Sequence, residues 1–72
     1  MTGSQQAVLD ILQKYGSAGG ACARTFAKHD IYRFSPRIFE LRHDYGYTII
    51  MHKCVRHEHR HYVPAYQILR YP

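Results

Sequence analysis

Residues 35–47 read Ser35-Pro36-Arg37-Ile38-Phe39-Glu40-Leu41-Arg42-His43-Asp44-Tyr45-Gly46-Tyr47. Phe34, Ile38 and Leu41 recur at helical spacing, so this stretch predicts a short helix with one apolar stripe and several cationic side chains beside it. Gly46 can adopt the left-handed conformation that closes a helix. Residues 47–55 are rich in β-branched and aromatic side chains and predict a strand. A basic helix is therefore followed directly by a strand.

The length and composition limit what this chain can be. Its 72 residues predict a single domain over residues 1–72, and a domain of this size buries only about 60% of its unfolded surface. Little room is left for a catalytic cleft, and the sequence has neither a phosphate-binding glycine loop nor a pair of carboxylates suited to acid–base chemistry. We therefore do not expect an enzyme.

The location of the protein is predicted from what the sequence lacks. A membrane span needs about 20 apolar residues, and no such run is present; the N-terminus also lacks the pattern of a signal peptide. Two cysteines, Cys22 and Cys54, are too few for a disulfide framework and are interpreted as reduced thiols. These features predict a cytoplasmic protein, in a host cell or on a bacterial nucleoid, with no membrane partner.

Positive charge is concentrated in the second half of the chain. The formal net charge is +5. Residues 1–31 contain three basic and two acidic side chains, whereas residues 32–72 contain seven basic and three acidic ones, together with five of the six histidines. A basic half attracts polyanions through long-range attraction and counterion release. The charge pattern favours a nucleic-acid partner.

The rest of the sequence completes an α+β pattern of three helices followed by a two-stranded antiparallel β-hairpin. Apolar periodicity and turn residues place the boundaries of each element. In chain order, the predicted elements are a helix over 5–15 capped by Ser4, a helix over 22–29, a helix starting at Tyr32 or Ser35 and ending at Tyr45, a strand over 47–55, a loop over 56–61 and a strand over 62–70. A supporting helix followed by two helices joined by a short turn satisfies the helix-turn-helix plan.

Four segments of the chain match a known pattern: Gln5/Gln6 followed by Ile11-Leu12, then Tyr32-Arg33-Phe34-Ser35-Pro36-Arg37-Ile38-Phe39-Glu40-Leu41-Arg42, then Gly46-Tyr47-x-Ile49, and Tyr62-Val63 followed by Tyr66-x-Ile68. With them, nearly the whole chain resembles a family of small winged helix-turn-helix domains common in phages and prophages. The resemblance implies a winged helix fold and a DNA-binding role, often in transcription regulation. Pro36, in the middle of the motif, departs from the pattern.

The third predicted helix, residues 32–45, would enter the major groove of double-stranded DNA. Arg33 and Arg37 are the candidates for guanine edges, because a guanidinium can donate two hydrogen bonds to one base. Glu40 either accepts from a cytosine amine or pairs with Arg37 or His43 on the helix surface, and the pairing is slightly favoured. The remaining candidates on this helix are Arg42 for a phosphate, Ser35 for a phosphate or more readily the helix cap, and outward-facing His43.

The hairpin tip, residues 53–61, is the second predicted contact with DNA. Its candidate side chains are Lys53, Arg56, His57, His59, Arg60 and His61. They could straddle the phosphates or enter a narrow minor groove, which attracts such cations. The run Cys54-x-x-His57-x-His59-x-His61 also contains the donors that zinc prefers, but no second ligand pair accompanies it. We therefore expect no metal and no other cofactor.

Phe39 leaves the choice of partner open. Facing outward, it could contact a thymine methyl group, anchor an interface with a host or phage protein, or be half-buried against the hairpin. The alternative to a DNA-binding regulator is thus a winged helix that binds protein, such as a phage-encoded inhibitor or adaptor of a host complex. A third hypothesis is RNA binding, in which the seven tyrosines stack on bases. A homodimer on two DNA half-sites is an alternative to a monomer.

Overall fold

The computed structural model describes residues 1–16, 19–55 and 62–72. Over these residues the chain forms a mixed α+β fold of three helices and one antiparallel sheet, which confirms the predicted class. In chain order the elements are α1 (Gly3–Lys14), β1 (Ala21–Cys22), α2 (Ala23–Lys28), α3 (Phe34–His43), β2 (Thr48–Lys53) and β3 (Pro64–Arg70). Among the described residues, no helix combines the length and apolar character needed to cross a membrane.

The sheet has three strands in the described part of the chain, so the predicted number of two strands is wrong. β2 and β3 form the expected antiparallel pair, with Ile49 opposite Ile68. The additional strand, β1, pairs with the other edge of β3 and gives the strand order β1-β3-β2. Because β1 has only two residues, it is too short to show the alternation by which a strand is recognised in a sequence.

The start of α1 is fixed by Thr2, and the predicted cap at Ser4 is wrong. The Thr2 hydroxyl accepts a hydrogen bond from the Gln5 backbone N–H (3.2 Å). The Gln5 side-chain oxygen in turn accepts one from the Thr2 backbone N–H (2.9 Å). This reciprocal arrangement is a capping box, which satisfies two backbone donors at once. The helix therefore begins at Gly3 and includes Ser4.

The start of α3 also differs from the prediction. Its N-cap is Arg33, whose side chain makes no capping hydrogen bond, and Ser35 lies within the first turn. The predicted capping role of Ser35 is therefore wrong. The helix spans Phe34–His43, so it begins between the two predicted starts, Tyr32 and Ser35, and ends two residues before Tyr45. Gly46 has a positive φ of 77°, as expected for the residue that reverses the chain after a helix.

The turn between α2 and α3 is held by two backbone hydrogen bonds. The Ile31 N–H donates to the Phe26 carbonyl (2.9 Å), and the Asp30 N–H donates to the Ala27 carbonyl (3.0 Å). Asp30 has a φ of 60°. Together these features form a Schellman motif with an aspartate in the left-handed position. The motif ends α2 sharply and sets the direction in which α3 begins.

The core lies between the helices and the sheet. α1 packs against α3 and β3, and α3 packs against β2. Phe26 stacks on Phe34 with ring centroids 4.5 Å apart. The buried side chains of the main cluster are Val8, Leu9, Ile11, Leu12, Ala21, Phe26, Ile38, Leu41 and Ile49. Since Ile38 and Leu41 point into this cluster, the opposite face of α3 is left to solvent.

Candidate nucleic-acid interface

The exposed face of α3 is the surface on which most of the predicted site residues lie. Arg33, at the N-cap, is exposed, and so are Ser35, Arg42 and His43. Arg33 and Arg42 are nine residues apart, which corresponds to roughly 13 Å along a helix axis. The outward orientation predicted for Arg33 and His43 is confirmed. Nine residues are about two and a half turns, so Arg33 and Arg42 lie near opposite ends of the helix and on opposite sides of this exposed face.

An aromatic pair lies on the exposed face of α3, in the C-terminal half of the helix. Phe39 is 60% exposed, so the interpretation that it is half-buried against the hairpin is wrong. Its ring packs on His43, with centroids 4.2 Å apart and ring planes tilted by 31°. The two residues are one helical turn apart, which places their side chains on the same face. Their contact gives the middle of α3 an apolar, solvent-facing platform.

Arg37 lies to one side of this face and is paired with Glu40. Its Nε is 2.7 Å from Glu40 Oε1, without the alignment of a hydrogen bond, and its Nη2 donates to Glu40 Oε2 (3.2 Å). Of the two alternatives for Glu40, the structure shows the surface pair with Arg37. Both side chains are partly buried. Arg37 is thus engaged by a carboxylate in this structure, unlike Arg33 and Arg42, which are exposed.

Gln5 ties this ion pair to the start of α1. Its side-chain amide donates to Glu40 Oε1 (3.0 Å), and its carbonyl oxygen accepts from the Tyr45 hydroxyl (3.1 Å). Hydrogen bonding from Gln5 lowers the pKa of Glu40; burial opposes this shift, whereas the nearby guanidinium of Arg37 adds to it. Gln5 was not among the predicted site residues. The signal that could have identified it is its position three residues after Thr2, which is the spacing of a capping box.

A cavity of about 540 Å³ lies beside the start of α3. Tyr32, Arg33 and Arg37 form one part of its wall, and the first turns of α1 form another. Asp30 also lines the cavity, and Glu40 already neutralises Arg37. Of the two guanidinium groups in this wall, that of Arg37 is paired with Glu40, whereas Arg33 is exposed.

The hairpin tip is only partly described. Lys53 ends β2 and is exposed, as a phosphate contact requires. Arg56, His57, His59, Arg60 and His61 lie outside the described residues, so the contacts assigned to them stay predictions. The zinc alternative depends on the same histidines. Among the described residues, no group of three or more histidine, cysteine or acidic side chains is placed to hold a metal ion.

The two cysteines, distant in sequence, are brought together in the fold. Cys22 and Cys54 are both buried, and they form one small cluster with Ala65. Burial raises the pKa of the Cys22 thiol, but hydrogen bonds with Thr25, with the Cys54 thiol and with the Arg24 backbone outweigh it, so the pKa of Cys22 lies below its ordinary value. Cys22 and Cys54 therefore belong to one buried cluster and not to separate parts of the core.

The comparisons with known proteins identify no relative. No family model, no curated protein and no solved structure matches this chain. The function is therefore argued from the fold and the side chains of the chain itself.

Proposed function

We propose that this chain is a winged helix-turn-helix protein that binds double-stranded DNA, and that it acts as a small transcriptional regulator of a phage or prophage. The observation that carries the proposal is the exposed face of α3, where Arg33, Phe39, Arg42 and His43 stand clear of the core. A helix that buries one face and offers cations on the other is suited to a groove lined by phosphates.

The order of the elements supports this proposal. The winged helix predicted from the sequence has three helices followed by a β-hairpin, and α1, α2, α3, β2 and β3 occur in that order. Here β1 lies between α1 and α2 and pairs with β3, in the order β1-β3-β2. The Schellman turn at Asp30 supplies the short connection of a helix-turn-helix unit.

In the proposed complex, α3 lies in the major groove with its N-terminal end nearest the bases. Arg33 then donates to a guanine edge, and Phe39 contacts a thymine methyl group. Arg42 contacts a phosphate near the other end of the helix. Lys53 and the hairpin tip lie on the backbone or in the adjacent minor groove. Arg37 pairs with Glu40, and the hydrogen bond from Gln5 to Glu40 holds α3 against α1.

The test is binding to random-sequence duplex DNA, measured by gel shift and fluorescence anisotropy at low salt. The double variant Arg33→Ala/Arg42→Ala should bind at least about tenfold more weakly, because each lost contact is worth about 1 kcal/mol or more. Both side chains are exposed, so circular dichroism should show an unchanged fold.

The matched control is Lys14→Ala/Lys28→Ala. It removes the same charge from two exposed positions outside α3 and outside the hairpin tip. We expect the control to weaken binding less than about threefold, through long-range attraction alone. Equal losses in the two double variants would mean that only net charge matters, and the assignment of α3 to the groove would be wrong.

A protein-binding winged helix, for example an inhibitor or adaptor of a host complex, is the second candidate. It is favoured by one observation, the 60% exposure of Phe39, because exposed aromatic side chains are frequent anchors of protein interfaces. The change Phe39→Ala separates the two functions. Random-sequence DNA binding depends mainly on phosphate contacts and should lose little, whereas a protein interface centred on Phe39 should be abolished.

A further inference from the structure

β2 is an edge strand whose outer side has no neighbouring strand. The strand order is β1-β3-β2, so among the described residues only β3 pairs with β2. Just after β2, the Cys54 N–H donates to the Val63 carbonyl on the β3 side (2.9 Å). In an antiparallel ladder the backbone groups of successive residues alternate between the two edges of a strand. Ile50 therefore directs its N–H and C=O at β3, whereas Ile49 and Met51 direct theirs outward.

The register of β2 on β3 supports this assignment. Lys53 lies opposite Pro64, and a proline has no N–H to donate to a ladder. This pair is therefore a non-hydrogen-bonded one, and the pairs formed by Met51 and Ile49 follow it at intervals of two residues. Over the residues that the structure describes, the outward groups of Met51 and Ile49 have no hydrogen-bond partner. The Lys53 carbonyl, by contrast, is 3.0 Å from Nδ1 of His52.

The same edge is apolar on both faces of the sheet. Ile49 is buried in the core, and the alternation of side chains places Ile50 on the opposite face and Met51 on the core side. Ile50 is 38% exposed and Met51 is 57% exposed. Soluble proteins commonly protect an edge strand with charged side chains, prolines or bulges. Here the only lysine of β2, Lys53, is its last residue, and the register irregularity lies at its start, beside Thr48. The middle of the edge is unprotected.

We propose that β2 pairs antiparallel with β2 of a second copy of this chain, which joins the two three-stranded sheets into one. The dimer does not rest on the proposed DNA binding. A two-fold axis perpendicular to the sheet passes through the junction at Ile50, so Ile50 lies opposite Ile50 of the second copy. Ile49 then lies opposite Met51 of the second copy. Both have outward backbone groups, so the two symmetric pairs exchange about four hydrogen bonds.

The side chains of β2 favour a second copy as the strand that fills this edge. In this register Ile50 meets Ile50 on one face, and Ile49 meets Met51 on the other, so apolar side chains are matched throughout. The two Lys53 residues lie at opposite ends of the junction, roughly 20 Å apart, which is beyond the Debye length of about 8 Å at physiological salt. Centring the axis on Met51 would instead place Lys53 opposite the buried Ile49. The other edge strand, β1, has only two residues, so the pairing closes at two copies.

The test is analytical ultracentrifugation of the full chain, without nucleic acid, over a range of protein concentrations. The wild type should show a monomer–dimer equilibrium with no larger species. Salt should strengthen the dimer, because each copy has a net charge of +5, whereas salt weakens DNA binding. Ile50→Lys places two like charges face to face at the axis and should weaken dimerisation by about a hundredfold or more. The matched control is Leu69→Lys, because Leu69 is an exposed apolar residue of the central strand β3; this variant should dimerise like the wild type.

Amide hydrogen exchange tests the pairing on the wild type, without a variant that has to fold. The N–H groups of Ile49 and Met51 should become more protected as the protein concentration rises, whereas the N–H of Ile50, directed at β3, should be equally protected throughout. A monomer at every concentration, or equal weakening of the dimer by Ile50→Lys and Leu69→Lys, would overturn the proposal. Assemblies larger than a dimer would also contradict it, as would an edge that binds only extended peptides of other proteins.

Discussion

At the scale of single residues, Gly20 sets how closely β1 can approach the central strand. Its φ is 90°, a conformation that side chains rarely adopt. A Cβ at this position would lie 2.6 Å from the Tyr66 carbonyl oxygen and 3.1 Å from the carbonyl carbon. Both atoms belong to the backbone of β3, so neither can move aside without disturbing the sheet.

Gly20→Ala should therefore lower the free energy of unfolding by about 2 kcal/mol or more, from backbone strain and the clash together. Urea denaturation followed by circular dichroism measures the change. Gly16→Ala is the control, because a Cβ there would meet nothing within 4 Å and the residue has no positive φ. If both variants unfold at the same urea concentration, Gly20 does not limit the approach of β1.

At the scale of elements, the contact between α1 and α3 depends on a carboxylate. Glu40 accepts from Gln5 of α1 and pairs with Arg37 of its own helix, and these contacts hold its pKa below the ordinary value of 4.5. A carboxyl group whose pKa is lower in the folded state stabilises the fold fully above its unfolded pKa. That contribution disappears as the pH falls through the folded pKa.

Glu40→Gln should therefore have a lower melting temperature than the wild type at pH 7. This difference in melting temperature should become smaller as the pH is lowered from about 4.5 toward 3. Thermal denaturation at pH 7, 5 and 3 measures it. Asp44→Asn removes a carboxylate from the exposed C-cap of the same helix and serves as the comparison. If the difference in melting temperature between Glu40→Gln and the wild type stays constant with pH, Gln5 and Arg37 do not favour the charged form of the Glu40 carboxyl group.

The same elements show how far the sequence could be interpreted. The spacing of the apolar residues predicted α1 and α3, because apolar side chains at helical spacing form one buried face. Leu12, Ile38 and Leu41 are buried in this way. The spacing did not predict β1, because Ala21 and Cys22 form a strand only by pairing with β3, which is distant in the sequence. It also chose the wrong caps: polar residues at neighbouring positions compete for the same backbone donors, and the side chain of Gln5 decided in favour of Thr2.

At the scale of the whole molecule, the sign of the net charge can be predicted from composition, but which basic side chains are exposed and which are engaged by a carboxylate cannot. The excess of basic residues is visible in composition. That Arg37 is engaged by Glu40 while Arg33 and Arg42 are exposed depends on how α3 rests against α1. The proposed DNA surface therefore uses fewer cations than the sequence offers, and the number in contact can be measured directly.

That number sets the salt dependence of binding. If Arg42 and Lys53 contact phosphates together with Arg56 and Arg60 of the tip, the logarithm of the binding constant should fall against the logarithm of the salt concentration with a slope of about −3.5. Arg42→Ala should flatten the slope by about 1 on any duplex, as the loss of a phosphate contact does. Anisotropy titrations from about 50 to 200 mM salt measure both slopes. Lys14→Ala is the control and should keep the wild-type slope.

An unchanged slope for Arg42→Ala would mean that Arg42 does not contact a phosphate. A nearly flat slope for the wild type would favour the protein-binding alternative, because an interface anchored by Phe39 releases few counterions.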